Sequence, residues 1–461
     1  MTLIDVLATA VVVALCWAML SVSLRSLPRQ EGQIVAASFA MHTLASFATA
    51  IIAQVVYRGV VDFAGFEMAG KLIADAVRQD PIGVLPRAVA LFLHQDTFIN
   101  VPLNFDARGG RSTLSMWALA AFGDLLFLGS FQATATACAL FSFSGKLVAF
   151  RALRGYFPAP VRPYVAGAAL LVPSVVYWTS GLIKEGIAVG GIGYALWGAH
   201  TFWTRRRPLA LLVAAFGVVI VVVIKPYLLM PLGVGFGALI YVRGATAGGR
   251  TLQIRPLYLL AGAAVAVSAI VLIGRLFPLF ALENLGEAAA KMQFYGRKAA
   301  GGSFYLLGDP SERSLLGQLQ FAPMALFTAL YRPTLLDVNN PLLLLNSFET
   351  TALLGLTVWL LFNRGWRWAV GQVLTNPALA FCAAFALPLA LGVGLVSNNL
   401  GTLSRYRCPM VPYQTILLVV LTVGATAAAR ARAPVSARTR PPPSQRPPRR
   451  RPAPAPEPGG T

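Results

Sequence analysis

RRRPLALLVAAFGVVIVVVIKPYLLMPLGVGFGALIYVR, residues 205–243, decides the fold. Three arginines precede an uncharged apolar run, Lys225-Pro226-Tyr227 turns the chain, and a second apolar run ends at Arg243. A helix crosses a bilayer with roughly 20 apolar residues. The runs at 208–224 and 228–242 are short by that measure, which leaves them kinked, tilted or paired as a shallow hairpin around the KPY turn.

Working outward, the same alternation of apolar run and basic cluster fills the chain. It predicts an all-α, polytopic integral membrane protein with about eleven transmembrane helices. They fall at about 3–23, 34–57, 114–141, 164–183, 186–203, 208–224, 228–242, 257–277, 341–362, 377–397 and 409–428. Composition agrees: of 461 residues 57% are hydrophobic and 12% charged, half the charge of an ordinary soluble domain. Mean hydropathy is +0.67. A soluble enzyme and a single-anchor protein are excluded. The N-terminus has no basic leader, carries Asp5, and stays apolar to about Leu20, so it reads as a retained first helix.

Lysine and arginine set the orientation. One set of turns holds Arg25 and Arg29; Lys146, Arg151, Arg154 and Arg162; Arg205, Arg206 and Arg207; Arg243, Arg250 and Arg255; and Arg364 and Arg367. With the tail, this side carries 22 of the 38 basic residues and, outside the spans, only Glu31 and Glu457 as acids. It is expected to be cytoplasmic, with the N-terminus outside. The net charge of +21 is then a positive-inside signal, and no nucleic-acid partner is needed to explain it.

Residues 1–428 form the expected transmembrane domain, with two long extracytoplasmic loops at about 58–113 and 278–340. Loops of this length are uncommon without internal structure or function. In the first, Phe63, Phe66, Ile73 and Val77 recur at helical spacing across 62–78 before Asp80-Pro81, the pattern of an amphipathic helix on the outer membrane face. Residues 429–461, rich in Pro and Arg, are expected to be a disordered cytoplasmic tail touching anionic lipid. The four cysteines form no CxxC pair and the three histidines no HExxH, so neither a metal nor another cofactor is implied.

Ionisable groups at membrane depth cost roughly 2.5–3.5 kcal/mol to insert, which makes each a functional candidate. PSVVYWTSGLIKE, residues 173–185, ends with Lys184 and Glu185 where two spans meet on the outer side. They are either turn charges that snorkel to the interface or the floor of an outward cavity, Lys184 meeting a phosphate and Glu185 orienting it. Lys225 with Tyr227, and Arg405 with Arg407 in RYRCP, repeat the pattern at two more outer turns, as interfacial anchors or as a diphosphate site. Arg297, Tyr305 and Arg332 lie in the second long loop, where aromatics beside arginine suit sugar stacking and phosphate binding. Glu349 lies inside an apolar span. Glycosyl transfer needs a base for the acceptor hydroxyl, for which Asp62, Glu185 and Glu349 are the candidates; an N-cap is the other reading of Asp62. His94 reads as a satisfied surface histidine, and Asp124 as interhelical polar packing.

In chain order, the acidic first outer loop, PSVVYWTSGLIKE, KPY, GGSFYLLG (301–308), YRP (331–333) and RYRCPMVP (405–412) resemble bacterial membrane proteins of polysaccharide assembly. The resemblance spans roughly 58–428. RYRxPxxP is similar to the last outer turn of GT-C-type glycosyltransferases that use lipid-linked sugars. The long second loop with its arginines resembles that of Wzy-type polysaccharide polymerases. The Wzy resemblance implies metal-free binding of undecaprenyl diphosphate by Arg297, Arg332, Arg405 and Arg407. Metal-dependent GT-C enzymes fit less well, because their acidic motif follows the first helix and here the acidic loop follows the second span.

The expected function is Wzy-like polymerisation of undecaprenyl-diphosphate-linked repeat units in the bacterial inner membrane. Its expected partners are the lipid-linked oligosaccharide, membrane lipids, and the flippase, chain-length and export proteins of such a pathway. The alternatives are a GT-C transferase adding one sugar from a polyprenyl phosphate, a lipid-linked oligosaccharide transporter or flippase, and a non-catalytic assembly partner.

Overall fold

A computed structural model of the protein describes residues 2–55, 62–95, 111–246, 256–277, 284–298, 304–305, 307, 314–338 and 341–424. The basic tail, Asp96, Asp106, Arg250, Arg255 and the GGS of 301–303 lie outside the described residues. Among the described residues the regular elements are helical, apart from one isolated antiparallel bridge between Phe304 and Asn399. Seven helices are long and apolar enough to cross a membrane, or eight if a pair bent by 76° counts as one span. The chain is thus a helical protein of the multi-pass membrane type.

The first two apolar runs become α1 (Leu3–Leu24) and α2 (Arg29–Val55). The amphipathic stretch becomes α3 (Asp62–Gln79), followed by α4 (Pro81–Phe92), which Asp80 caps through Gly83 N–H. The apolar face of α3 meets protein, however, instead of the membrane surface. Phe66, Ile73 and Val77 are buried, and α3 packs on α5 (Ser112–Leu126). At Gly70 a Cβ would meet the Ala120 Cβ at 2.4 Å, so glycine is what lets the two helices touch. Asp124 of α5 pairs with Arg78 of α3, and His94 bonds Ser115 through Nε2 at 2.7 Å.

The run at 114–141 is therefore not one span. It breaks at Leu128 (φ 55°) and Gly129 (φ 81°), and Ser130 caps a new helix, α6 (Phe131–Leu153), by accepting from Ala133 N–H. Lys146, expected in a basic loop, lies inside α6 and is buried there. The helix runs on through SFSGKLVAFRAL, residues 142–153, past the point at which the apolar run was expected to end. The run at 164–183 also breaks, into α7 (Arg162–Leu170) and α8 (Pro173–Trp178).

The next runs are helical over nearly the expected bounds, as α9 (Lys184–Arg205), α10 (Leu209–Ile224), α11 (Leu229–Ala245) and α12 (Pro256–Leu276). Of these, α11 and α12 are among the helices long and apolar enough to cross a membrane, and α10 is a shorter apolar helix. The second long loop holds α13 (Leu285–Lys298), α14 (Leu315–Leu319) and α15 (Ala322–Tyr331). Then follow α16 (Pro341–Asn363), the short α17 (Trp366–Thr375) and α18 (Pro377–Val396). The last run is α20 (Val411–Val419), lengthened by a π-helical stretch (Val420–Gly424) and joined at the 76° bend to α19 (Leu400–Tyr406).

Close helix contact is made by small residues, as in membrane interiors generally. A Cβ on Gly193 of α9 would lie 2.0 Å from the Gly145 carbonyl oxygen of α6. Polar ties show which helix ends lie together. Arg151 donates to Ser23 O at 2.9 Å, and Arg154 pairs with Glu31 at 2.8 Å. Tyr156 takes Arg243 on its hydroxyl at 3.0 Å and Asn376 on its carbonyl at 3.2 Å, with His200 at 3.2 Å from the hydroxyl. The turns after α1, α6, α9 and α11, and the turn before α18, thus gather at one end of the bundle. At the other end, Ser130 donates to Asp5 at 2.8 Å and Thr49 to the Ser180 carbonyl at 2.8 Å.

Candidate functional site

The segment 173–185 organises that second end. Pro173 starts α8 where no amide donor is needed, and the helix stops at Trp178. Residues 179–183 then run non-helically into α9, with Gly181 at φ +142°, a region side chains avoid. Irregular backbone inside a membrane protein is tolerated where protein or a water-lined cavity satisfies it, and here Thr49 covers the Ser180 carbonyl.

α9 begins at Lys184 with no side-chain cap, and Glu185 sits in its first turn, where an anion suits the helix dipole. The Glu185 side chain is fully buried. Its Oε1 lies 2.6 Å from Lys225 Nζ and 2.9 Å from Arg405 Nε. Lys225 is delivered there because Pro226 ends α10 just before it. The same Nζ lies 3.3 Å from the Tyr227 hydroxyl and 4.7 Å from the centre of the Tyr406 ring. Lys184 points elsewhere, donating to Thr113 Oγ1 at 2.9 Å and standing 5.7 Å from the Phe66 ring centre.

A second group of residues adjoins through the 405–408 turn. Arg407 is buried, and its guanidinium donates to the Arg332 carbonyl at 2.7 Å and to Asn346 Oδ1 at 2.5 Å. Arg332 pairs with Asp337 and stands 5.2 Å over the Tyr305 ring. Tyr305 is held by its own N–H on the Asn398 carbonyl at 2.9 Å. Burial alone would raise the Asp337 carboxyl; the bonds from Arg332 and Thr334 outweigh it and hold the group below its ordinary range. Burial pushes the Tyr305 phenol up, against the pull of Arg332 and Arg407. Glu349 accepts from Ser174 twice, from N–H at 2.9 Å and from Oγ at 2.6 Å.

A third pair lies deeper. Lys146 Nζ is 2.5 Å from His42 Nε2 and donates to Thr179 Oγ1 at 3.0 Å. His42 Nδ1 bonds the Ser38 carbonyl at 2.7 Å, so that nitrogen carries the proton and Nε2 accepts from the lysine. Cys408 stands within electrostatic reach of Lys146, Glu185, Lys225 and Glu349, which links the three groups.

The structure therefore brings together Glu185, Lys225, Tyr227 and Arg405, and beside them Glu349, Tyr305, Arg332 and Arg407. It separates Lys184 from them. Asp62 and Arg297 fall on α3 and α13, with side chains outside the described residues. Sequence reasoning missed Asn346, Asp337, Lys146 and His42; an ionisable residue within Ala/Ser/Thr-rich helix was the one signal for Lys146. Among the described residues no three His, Cys, Asp or Glu side chains are grouped to hold a metal ion. No family model, no curated protein and no solved structure matches the chain.

Proposed function

We propose that the chain is an eleven-span protein of the bacterial cytoplasmic membrane, N-terminus outside and basic tail inside, that polymerises undecaprenyl-diphosphate-linked repeat units in the manner of Wzy enzymes. One observation carries this reading. Cations from two separate turns, Lys225 and Arg405, meet on Glu185 at helix breaks, and beside them lie Arg407, which holds the Arg332 carbonyl, and Glu349, at the end of the bundle away from the arginine-rich turns. Discontinuous helices meeting charged side chains are how membrane proteins commonly build sites for anionic substrates.

In this mechanism the acceptor sugar hydroxyl attacks the anomeric carbon of the donor glycan. The bond from that carbon to the diphosphate oxygen breaks, and undecaprenyl diphosphate leaves with the electron pair. Lys225, Arg405 and Arg332 neutralise the leaving group, and a carboxylate, Glu349 or Asp62, takes the hydroxyl proton. Glu185 is a positioning residue that holds Lys225 and Arg405 side by side. Arg407 is also a positioning residue, bracing the Arg332 backbone. Tyr305 offers a face for sugar stacking, and Tyr227 steadies Lys225. The pathway's flippase would supply the donor, and its chain-length and export proteins would receive the product.

The test is glycan chain length in a deletion strain complemented with wild type, Arg405→Ala or Arg332→Ala. Accumulation of single lipid-linked repeats, unrelieved by either variant, supports the polymerase. A repeat unit short by one sugar supports the GT-C transferase instead, and normal long glycan in the deletion strain overturns the assignment. One observation favours a transporter of the same lipids: the Lys146–His42 pair within the interior of α6 and α2, since buried ionisable groups mark pathways through membranes. Repeat units left on the inner leaflet in the deletion strain would decide for it.

A further inference from the structure

The hairpin between α16 and α18 carries a feature that the proposed reaction does not use. α17 is ten residues long, about 15 Å at 1.5 Å per residue, and joins two apolar spans. It is too short to cross and is confined to the membrane boundary by the helices on either side. Asn376, its last cap, is tied to the Tyr156 carbonyl, which fixes it at the arginine-rich end of the bundle.

α17 is apolar on two faces. Trp368, Ala369 and Val373 pack against the protein core. Trp366, Val370 and Leu374, four residues apart and so on one stripe, are 62%, 46% and 41% exposed. Just before the turn, at the end of α16, Trp359 and Phe362 are exposed as well, Phe362 to 87%. α16 is itself apolar enough to span a membrane, so exposed side chains at its end sit at the membrane boundary, and α17 with its stripe follows within three residues of that end. Two arginines stand by the tryptophans of α17, one on each face: Arg364 is 5.4 Å from the ring centre of the inward Trp368 and Arg367 5.4 Å from that of the outward Trp366. Neither has a carboxylate partner among the described residues.

We infer that α17 is an interfacial anchor, its outward stripe set into the acyl–headgroup boundary and Arg364 and Arg367 binding the phosphates of anionic phospholipids. Tryptophan seeks that depth because its ring is apolar and its N–H is polar. A guanidinium that meets an aromatic ring through its charge still has hydrogen-bond donors to offer a phosphate. A second copy of the chain and water are the other candidate occupants of the stripe, and the chemistry favours lipid: the stripe adjoins the end of a span, and the two charges of this hairpin are both positive.

The experiment uses the full chain reconstituted into phosphatidylcholine vesicles containing phosphatidylglycerol, with either lipid brominated on its acyl chains to quench nearby tryptophan. Comparison with Trp366→Phe isolates the signal of Trp366. Trp366 is expected to be quenched, and more by brominated phosphatidylglycerol than by brominated phosphatidylcholine at equal content. Arg364→Gln and Arg367→Gln are each expected to lower that preference, by up to about five-fold per arginine, and together to bring it to parity. Equal quenching by both lipids in the wild type overturns the headgroup assignment, as does a preference that survives both substitutions. No quenching by either lipid shows the stripe covered by water or a second copy, and overturns the anchor. These readouts do not depend on glycan synthesis, so failure here and failure of the polymerase reading are distinguishable.

Discussion

The two ends of α9 carry charge under opposite conditions. At its N-terminus Glu185 is fully buried, with two cations on one carboxylate oxygen. At its C-terminus Arg205, Arg206 and Arg207 are exposed, Arg206 standing 6.0 Å from the Trp203 ring centre. The buried end depends on specific partners, because any charge left alone there is desolvated. The exposed end depends only on sign, since water and lipid headgroups supply whatever partner is needed. The sequence separates the two ends only in part: it marks Glu185 as a candidate charge near membrane depth and the arginines as a positive-inside cluster, and gives the partners of neither.

This contrast can be broken by substitution. Glu185→Ala leaves Lys225 and Arg405 facing each other without an anion and is expected to cost about 3–5 kcal/mol, read as a lowered midpoint of thermal unfolding in detergent. Adding Lys225→Met should recover part of that loss; if it recovers none, the cluster is not held by charge pairing. Gly181→Ala, which strains the backbone leading into α9 and brings a Cβ to 3.3 Å from Thr49 Oγ1, should cost about 1–3 kcal/mol.

Asp337 offers an intermediate case, a partly exposed ion pair. Its carboxyl is held below the ordinary 3.8, so its contribution is present above that value and is lost as pH falls through the depressed one. Wild type should therefore lose about 0.5–1 kcal/mol on acidification that Asp337→Asn does not lose, measured as the difference between their unfolding midpoints against pH. Replacing Arg205, Arg206 and Arg207 by Gln should change stability by less than about 0.5 kcal/mol. A larger loss would show that the exposed end, too, is specifically paired.

Much of the helical layout was legible, because apolar length is a local property. The amphipathic stretch 62–78 was found almost to the residue as α3, although not what it packs against. Spans containing Leu128-Gly129 or Pro173 read as continuous, since hydropathy averages over a break that one backbone angle creates. Lys146 was read as a loop residue because the expected span ended at about 141, and its partners, His42 and Thr179, come from segments far away in the chain. Candidate site residues could be picked singly for their charge, but not their pairing. That Lys225 and Arg405 share Glu185, or that Arg407 braces the Arg332 carbonyl, depends on how distant helices pack.

The sharing of Glu185 also bears on biosynthesis. The glutamate and Lys225 emerge from the ribosome 40 residues apart, and Arg405 emerges only as the last helices are made. Until then the carboxylate has Lys225 as its one cationic partner of the two, and the threefold arrangement closes only when the bent α19–α20 segment docks. A nascent chain stalled before that point holds a half-assembled cluster, so integration of the final helices is the step at which this end of the molecule becomes complete.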